Sequence, residues 1–153
     1  MAIFTATIDW QRSGDPSPEG NYPSGHLWRF DGGAEVAASS APHSMPPPFA
    51  VEANVDPEEA LVAAAASCHM LFFLFFAQKA GHVVEAYRDA AEGTMARNEE
   101  GRMAMTESRL HPVARYGSPV PDRAAEEALH ERAHRACFIA NSLKTRISVL
   151  LDG

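Results

Sequence analysis

The chain has 153 residues, a net charge of −7, 46 % apolar residues and 22 % charged ones. That suffices for one domain with a real core, spanning 1–153, and not for two comfortable ones. The acidic balance, with no cluster of Lys and Arg, argues against a nucleic-acid partner, because phosphate contacts need clustered cations.

The first residues, MAIFTATIDWQ, have no basic segment followed by an apolar run, so they do not read as a secretory signal. The expected compartment is the cytoplasm. Ile3 to Gln11 alternates apolar and polar and predicts a strand. Arg12 to Gly25 is rich in Gly, Pro, Ser and Asp and predicts a loop. His26 to Phe30 and Ala34 to Ala38, joined by Asp31-Gly32-Gly33, predict a hairpin. Ser39 to Val55, with Pro46-Pro47-Pro48, predicts an extended segment packed over the surface.

Asp56-Pro57-Glu58-Glu59 is a helix start. Asp can cap, Pro suits the first helical position, and Glu three residues after the cap can close a capping box. The predicted helix runs to about Ala80, before Gly81. It is apolar on nearly every face and is expected to be buried on nearly every face. Its stretch from Ala60 to Ala77 approaches membrane-span length, but Ser67, Cys68 and His69 interrupt it. A buried central helix, with no membrane, is the expectation.

Val83 to Arg97 and Met103 to Tyr116, around the turn Asn98-Glu99-Glu100-Gly101, predict a strand pair. Asp122 to about Phe138 predicts a second helix, with Ala125, Leu129, Ala133, Ala136 and Ala140 on one small-residue face. Thr145 to Leu151 predicts a closing strand. The fold class is therefore α+β.

Three features could carry chemistry. His130-Glu131-Arg132-Ala133-His134 spells H-E-x-x-H, which places two histidines on one helix face, as in zinc proteases. A third His after a Gly is absent, and only Asp152 follows as a late acid, so a polar helix flank is the plainer reading. Cys68 lies in the most apolar segment, where a free cysteine is either a small hydrophobe or a reactive thiol. His69, its neighbour, points about 100° away on a helix and reads as a buried, hydrogen-bonded residue. Cys137 is the other cysteine of the chain. In a cytoplasmic protein such a pair is more often reactive or buried than a structural staple.

Asp56-Pro57-Glu58-Glu59, then Cys68-His69-Met70 after an Ala-rich spacer, then Cys137 before Asn141-Ser142 and a final strand, together resemble the OsmC/Ohr family. These are the osmotically inducible protein C and organic hydroperoxide resistance proteins. Tyr22, the Trp28-to-Gly33 segment and Pro42-His43 resemble its OsmC-like subgroup. The resemblance implies antiparallel sheets around two long central helices in an intertwined homodimer. It also implies a thiol peroxidase without metal, haem or other cofactor, which reduces organic hydroperoxides and is reset by an external dithiol. Carried over, Cys68 would be peroxidatic and Cys137 resolving. Glu58 would partner an arginine that steadies the thiolate. Arg29 and Arg12 are the candidates for that arginine, because Pro23-Ser24-Gly25 stands where relatives carry theirs. Glu58 and Cys68 are ten residues apart, roughly 15 Å along a helix, so Glu58 would serve the sulfur only from another copy of the chain. The alternative function is a non-enzymatic dimeric module that binds an apolar ligand at its interface.

Overall fold

The computed structural model describes residues 1–14 and 19–151. Part of the expected loop, residues 15–18, and Asp152 lie outside them. The chain forms two compact units, Met1–Ala60 and Leu61–Gly153.

The first unit is a three-stranded antiparallel sheet of β1 (Ala6–Asp9), β2 (His26–Phe30) and β3 (Glu35–Ala38), in that order. The hairpin is where the sequence placed it. The segment after β3 runs over the surface as expected, with Pro46, Pro47 and Pro48 exposed, and is anchored by the buried Ser39, Ala41 and Ala50 and by Val55, which bridges back to Ala38. Buried hydroxyls explain how a polar stretch goes inside. Ser24 Oγ lies 3.0 Å from Ser39 Oγ, and Ser39 Oγ accepts from the Val51 N–H at 2.8 Å.

Helix α1 (Pro57–Lys79) begins with the expected capping box. The Glu59 N–H donates to Asp56 Oδ1 at 2.8 Å, and the Asp56 N–H donates to Glu59 Oε2 at 3.2 Å. Gly81, at φ +84°, ends it in a conformation that disfavours a side chain.

The second unit splits each expected long strand in two. Strands β4 (Val84–Asp89) and β7 (Pro112–Tyr116) pair in one sheet. Strands β5 (Glu92–Arg97), β6 (Met103–Leu110) and β8 (Arg146–Val149) form another, in that order. The β6–β8 pairing is parallel, which corrects the expectation of wholly antiparallel sheets. The physical cause is that α2 (Arg123–Ala136) and α3 (Phe138–Ser142) carry the chain back across before β8. The class remains α+β.

Two buried clusters hold this unit together. Phe73 and Ala77 of α1 pack on Leu129 and Ala133 of α2. Ala65 of α1 packs on Leu110 of β6 and Ile147 of β8. The buried residues of α1 are Ala65, His69, Phe73 and Ala77, a single stripe at spacing four. The expectation of burial on nearly every face is thus corrected for the single chain. Leu71 is 60 % and Phe75 49 % exposed. The helix is long and apolar enough to cross a membrane, and its most apolar stretch is only 22 % buried.

Candidate active site

Helix α1 carries Cys68 in its middle, and α2 ends at Cys137. The sequence reading ran α2 through to Phe138, but Cys137 adopts extended angles (φ −63°, ψ 113°), which break the helix. Its sulfur then accepts from the Ala140 N–H at 3.4 Å and caps α3. This bend sets Phe138 and Ile139, the two residues after Cys137, into the wall of the pocket that Cys68 also lines. Both cysteines are free thiols. Cys137 is 1 % exposed and Cys68 half-buried. Burial is the main cause that pushes the Cys137 thiol above its ordinary value; the N–H of Ala140 lowers it, and the Cys68 sulfur raises it further.

Cys68 opens into a pocket of about 520 Å³ whose other walls include Leu71, Phe72, Phe75, Phe138 and Ile139. The remaining wall residues are Ala64 and Ser67, so no charged side chain lines it. Phe72 and Phe138 meet edge to face at 5.0 Å. Outside this lining, Lys79 lies 4.5 Å over the Phe75 ring and Arg132 4.3 Å over Phe76. The arrangement is one half-buried sulfur in an apolar cleft, with a second, dry sulfur one residue before the Phe138–Ile139 wall.

The two histidines nearest these cysteines in the interior form a pair. His69 Nε2 and His130 Nδ1 lie 2.9 Å apart, with the rings nearly parallel at 4°. His69 is 1 % and His130 3 % exposed. The expected buried, hydrogen-bonded His69 is found. The expectation of a polar flank is corrected for His130, which stacks on Phe73 at 4.1 Å. The signal was present: His130, Ala133 and Cys137 follow one another at spacings of three and four, the same helical stripe. Each ring is pushed down to about 4, chiefly by burial; His130 and His134 add to the effect on His69, and Arg123 adds to that on His130. Both are therefore neutral at pH 7. The outer nitrogens, His69 Nδ1 and His130 Nε2, have no hydrogen-bond partner in the structure. Among the described residues, no three of His, Cys, Asp or Glu are grouped to hold a metal ion.

The other expected site residues lie elsewhere. Glu58 is in the first turn of α1, ten residues before Cys68. Arg29, on β2, is held by Asp9 and by Glu35, the latter at 2.6 Å. Arg12 sits 5.6 Å over the Trp10 ring.

Comparison with known proteins identifies the family. The family model for OsmC-like proteins matches residues 51–152. An OsmC-like protein of unknown function from Vibrio cholerae is 41 % identical over 99 % of both chains, with a TM-score of 0.95. An organic hydroperoxide resistance protein from Elizabethkingia anophelis has a TM-score of 0.70 at 18 % identity, over 99 % of this chain and 94 % of that one. One from Legionella pneumophila has a TM-score of 0.69 at 16 % identity, over 99 % and 96 %. These last two share the fold. No curated protein matches the sequence. With more than half of its length matched by the family model, and a 41 % identical relative aligned from end to end, the chain belongs to the OsmC-like family.

Proposed function

We propose that the protein is a cysteine-based peroxidase that reduces organic hydroperoxides. The observation that carries this reading is that Cys68 lines an apolar pocket together with Phe138 and Ile139, the two residues that follow Cys137, 69 positions after Cys68 in sequence. The Cys68 thiolate attacks one oxygen of the hydroperoxide. The O–O bond breaks, Cys68 becomes a sulfenic acid, and the substrate leaves as an alcohol once protonated. Cys137 then attacks the sulfenic sulfur, water departs, and a disulfide forms. An external dithiol accepts the oxidising equivalents and restores both thiols. The half-buried Cys68 suits the first role and the dry Cys137 the second. The apolar walls favour an organic substrate over hydrogen peroxide.

The reading includes a homodimer in the cytoplasm. Leu71, Phe75 and Phe138 are 60 %, 49 % and 71 % exposed in the single chain. A second copy is the occupant that would dry that face. The same copy would supply a cation to a pocket that has none, with Glu58 of the partner subunit to orient it. Arg29 and Arg12 are the candidates. One observation favours the alternative of a non-catalytic module that binds an apolar ligand: Arg29 already satisfies two carboxylates.

The deciding experiment adds one equivalent of tert-butyl hydroperoxide to reduced protein and follows free thiols by mass spectrometry. Rapid loss of both thiols with a Cys68–Cys137 disulfide is expected. Cys68→Ser should abolish the reaction, and Cys137→Ser should stop it at a sulfenic acid that dimedone traps. Two unreacted thiols in the wild type would overturn the peroxidase in favour of the binding module.

A further inference from the structure

The inference below rests on the two-cysteine reading and adds residues to it. Cys68 of α1 shares its pocket with Phe138 and Ile139, the residues just after Cys137 at the end of α2. Beside it, the two helices are joined by the bond between His69, the residue after Cys68, and His130, two turns before Cys137. We propose that the His69–His130 pair is a positioning clasp: its single buried N–H···N bond fixes α2 against α1 so that the Cys137 sulfur faces Cys68, and acid releases it.

The chemistry of the bond makes it both specific and breakable. A neutral pair offers one N–H and one lone pair at the 2.9 Å contact. A first added proton keeps that bond but buries a charge. A second leaves two N–H groups facing each other, and the bond is lost. The surroundings resist either step. His134 and Arg123, both on α2, disfavour a proton on the pair. Glu127 and Glu131, which line the same cavity as His130, are already held by Arg123 at 2.7 Å and Arg135 at 3.0 Å. From the sheets, β4 and β7 bring Tyr87 and Tyr116, whose hydroxyls burial pushes upward, away from the acid range. Strand β8 brings Ile147 and Val149. Glu126, one turn before His130 on α2, accepts from the Tyr116 hydroxyl at 2.9 Å. Among the described residues no carboxylate is paired with either ring, so both stay neutral until the pH falls well below the ordinary histidine value.

The clasp is tested without relying on peroxidase activity. Diamide, which takes up the two electrons and two protons, closes the Cys68–Cys137 disulfide chemically. Glutathione redox buffers at pH 7 then report how readily the pair closes, as an effective concentration. His130→Leu should lower it at least about tenfold, equivalent to roughly 1.4 kcal/mol. The double variant His69→Gln, His130→Asn replaces the bonded nitrogens with amide groups that hydrogen bond but do not titrate, and it should stay within about threefold of wild type. An unchanged effective concentration in His130→Leu would overturn the proposal. Should His130→Leu fail to fold, a second measurement decides. By linkage, a bond that favours cysteine proximity must itself be favoured by the disulfide. Side-chain NMR of wild type should therefore show His69 and His130 titrating at lower pH in the disulfide form than in the reduced form. Identical titrations would refute the clasp. If hydroperoxide leaves both thiols intact while these couplings hold, the peroxidase reading fails and the clasp stands.

Discussion

A single charge at Phe138 should split the proposed homodimer, and the structure sets the scale. Phe138 is 71 % exposed in the isolated chain, beside Phe75 at 49 % and Leu71 at 60 %. Taking about 200 Å² for a phenylalanine, that leaves about 140 Å² of Phe138 for a partner to cover. At about 25 cal/mol per Å², its full burial contributes about 3.5 kcal/mol per copy, or about 7 kcal/mol for two symmetric copies. Incomplete burial could halve this, so Phe138→Glu should weaken association by at least about a hundredfold, since each 1.4 kcal/mol is tenfold. Sedimentation across a wide concentration range measures it. The wild type should sediment as a dimer and Phe138→Glu should dissociate within the accessible range. A monomeric wild type would refute the premise. A dimer of unchanged affinity in the variant would refute the choice of face, and α1 would have to be covered by something else.

Two other outcomes follow from particular contacts. The folded-state values of His69 and His130, about 4, lie below the ordinary 6.5, so the unfolded chain binds more protons between those limits. Stability is therefore complete above about pH 6.5 and lost as the pH falls toward 4, by roughly 2 kcal/mol per ring at pH 5 as an upper range. Burial of Asp89 raises its carboxyl, which acts in the opposite sense. Urea titrations at pH 7 and pH 5 read the difference, and it should shrink in the His69→Gln, His130→Asn variant; an equal loss in both would assign the acid sensitivity elsewhere. Gly93 lets β5 approach α1 closely, because a Cβ there would stand 2.5 Å from Val62 Cγ2 and closer still to the end of Met105. Met105 can swing away but β-branched Val62 cannot, so Gly93→Ala should destabilise by about 1–3 kcal/mol in the same assay; a neutral result would mean that β5 moves off the helix freely.

The sequence located elements whose cause is local and missed those whose cause is distant. The start of α1 was legible because Asp56 and Glu59 bond to each other's backbone within one turn. The sheet switches between β4 and β5 and between β6 and β7 were not, because alternation runs on through both breaks. The two breaks are tied across 22 residues, where the His111 N–H donates to Asp89 Oδ1 at 2.8 Å. No local pattern announces that bond. The bend at Cys137 was missed for a similar reason: Ala136 and Phe138 favour helix continuation, and nothing local announces the extended angles at Cys137 that end α2. As residue types, the two cysteines were plain to see. That Cys68 shares a pocket with the residues after Cys137 is a tertiary fact.

The histidines and the outer face of α1 expose one further limit, and it is physical. An apolar or helical-stripe position shows that a side chain is to be kept dry, without saying what dries it. Phe73 and Leu71 look alike in the sequence, yet one is fully buried and the other 60 % exposed. His130 looked like a polar flank because its neighbours Glu131 and Arg132 are polar, yet its stripe mates Ala133 and Cys137 go inside with it. Burying a histidine needs a partner, and that partner, His69, is 61 residues away on the helix that also carries Cys68. The polar contact between α1 and α2 has that origin: it pairs a group that could not be left alone in the interior with its own kind from the other helix.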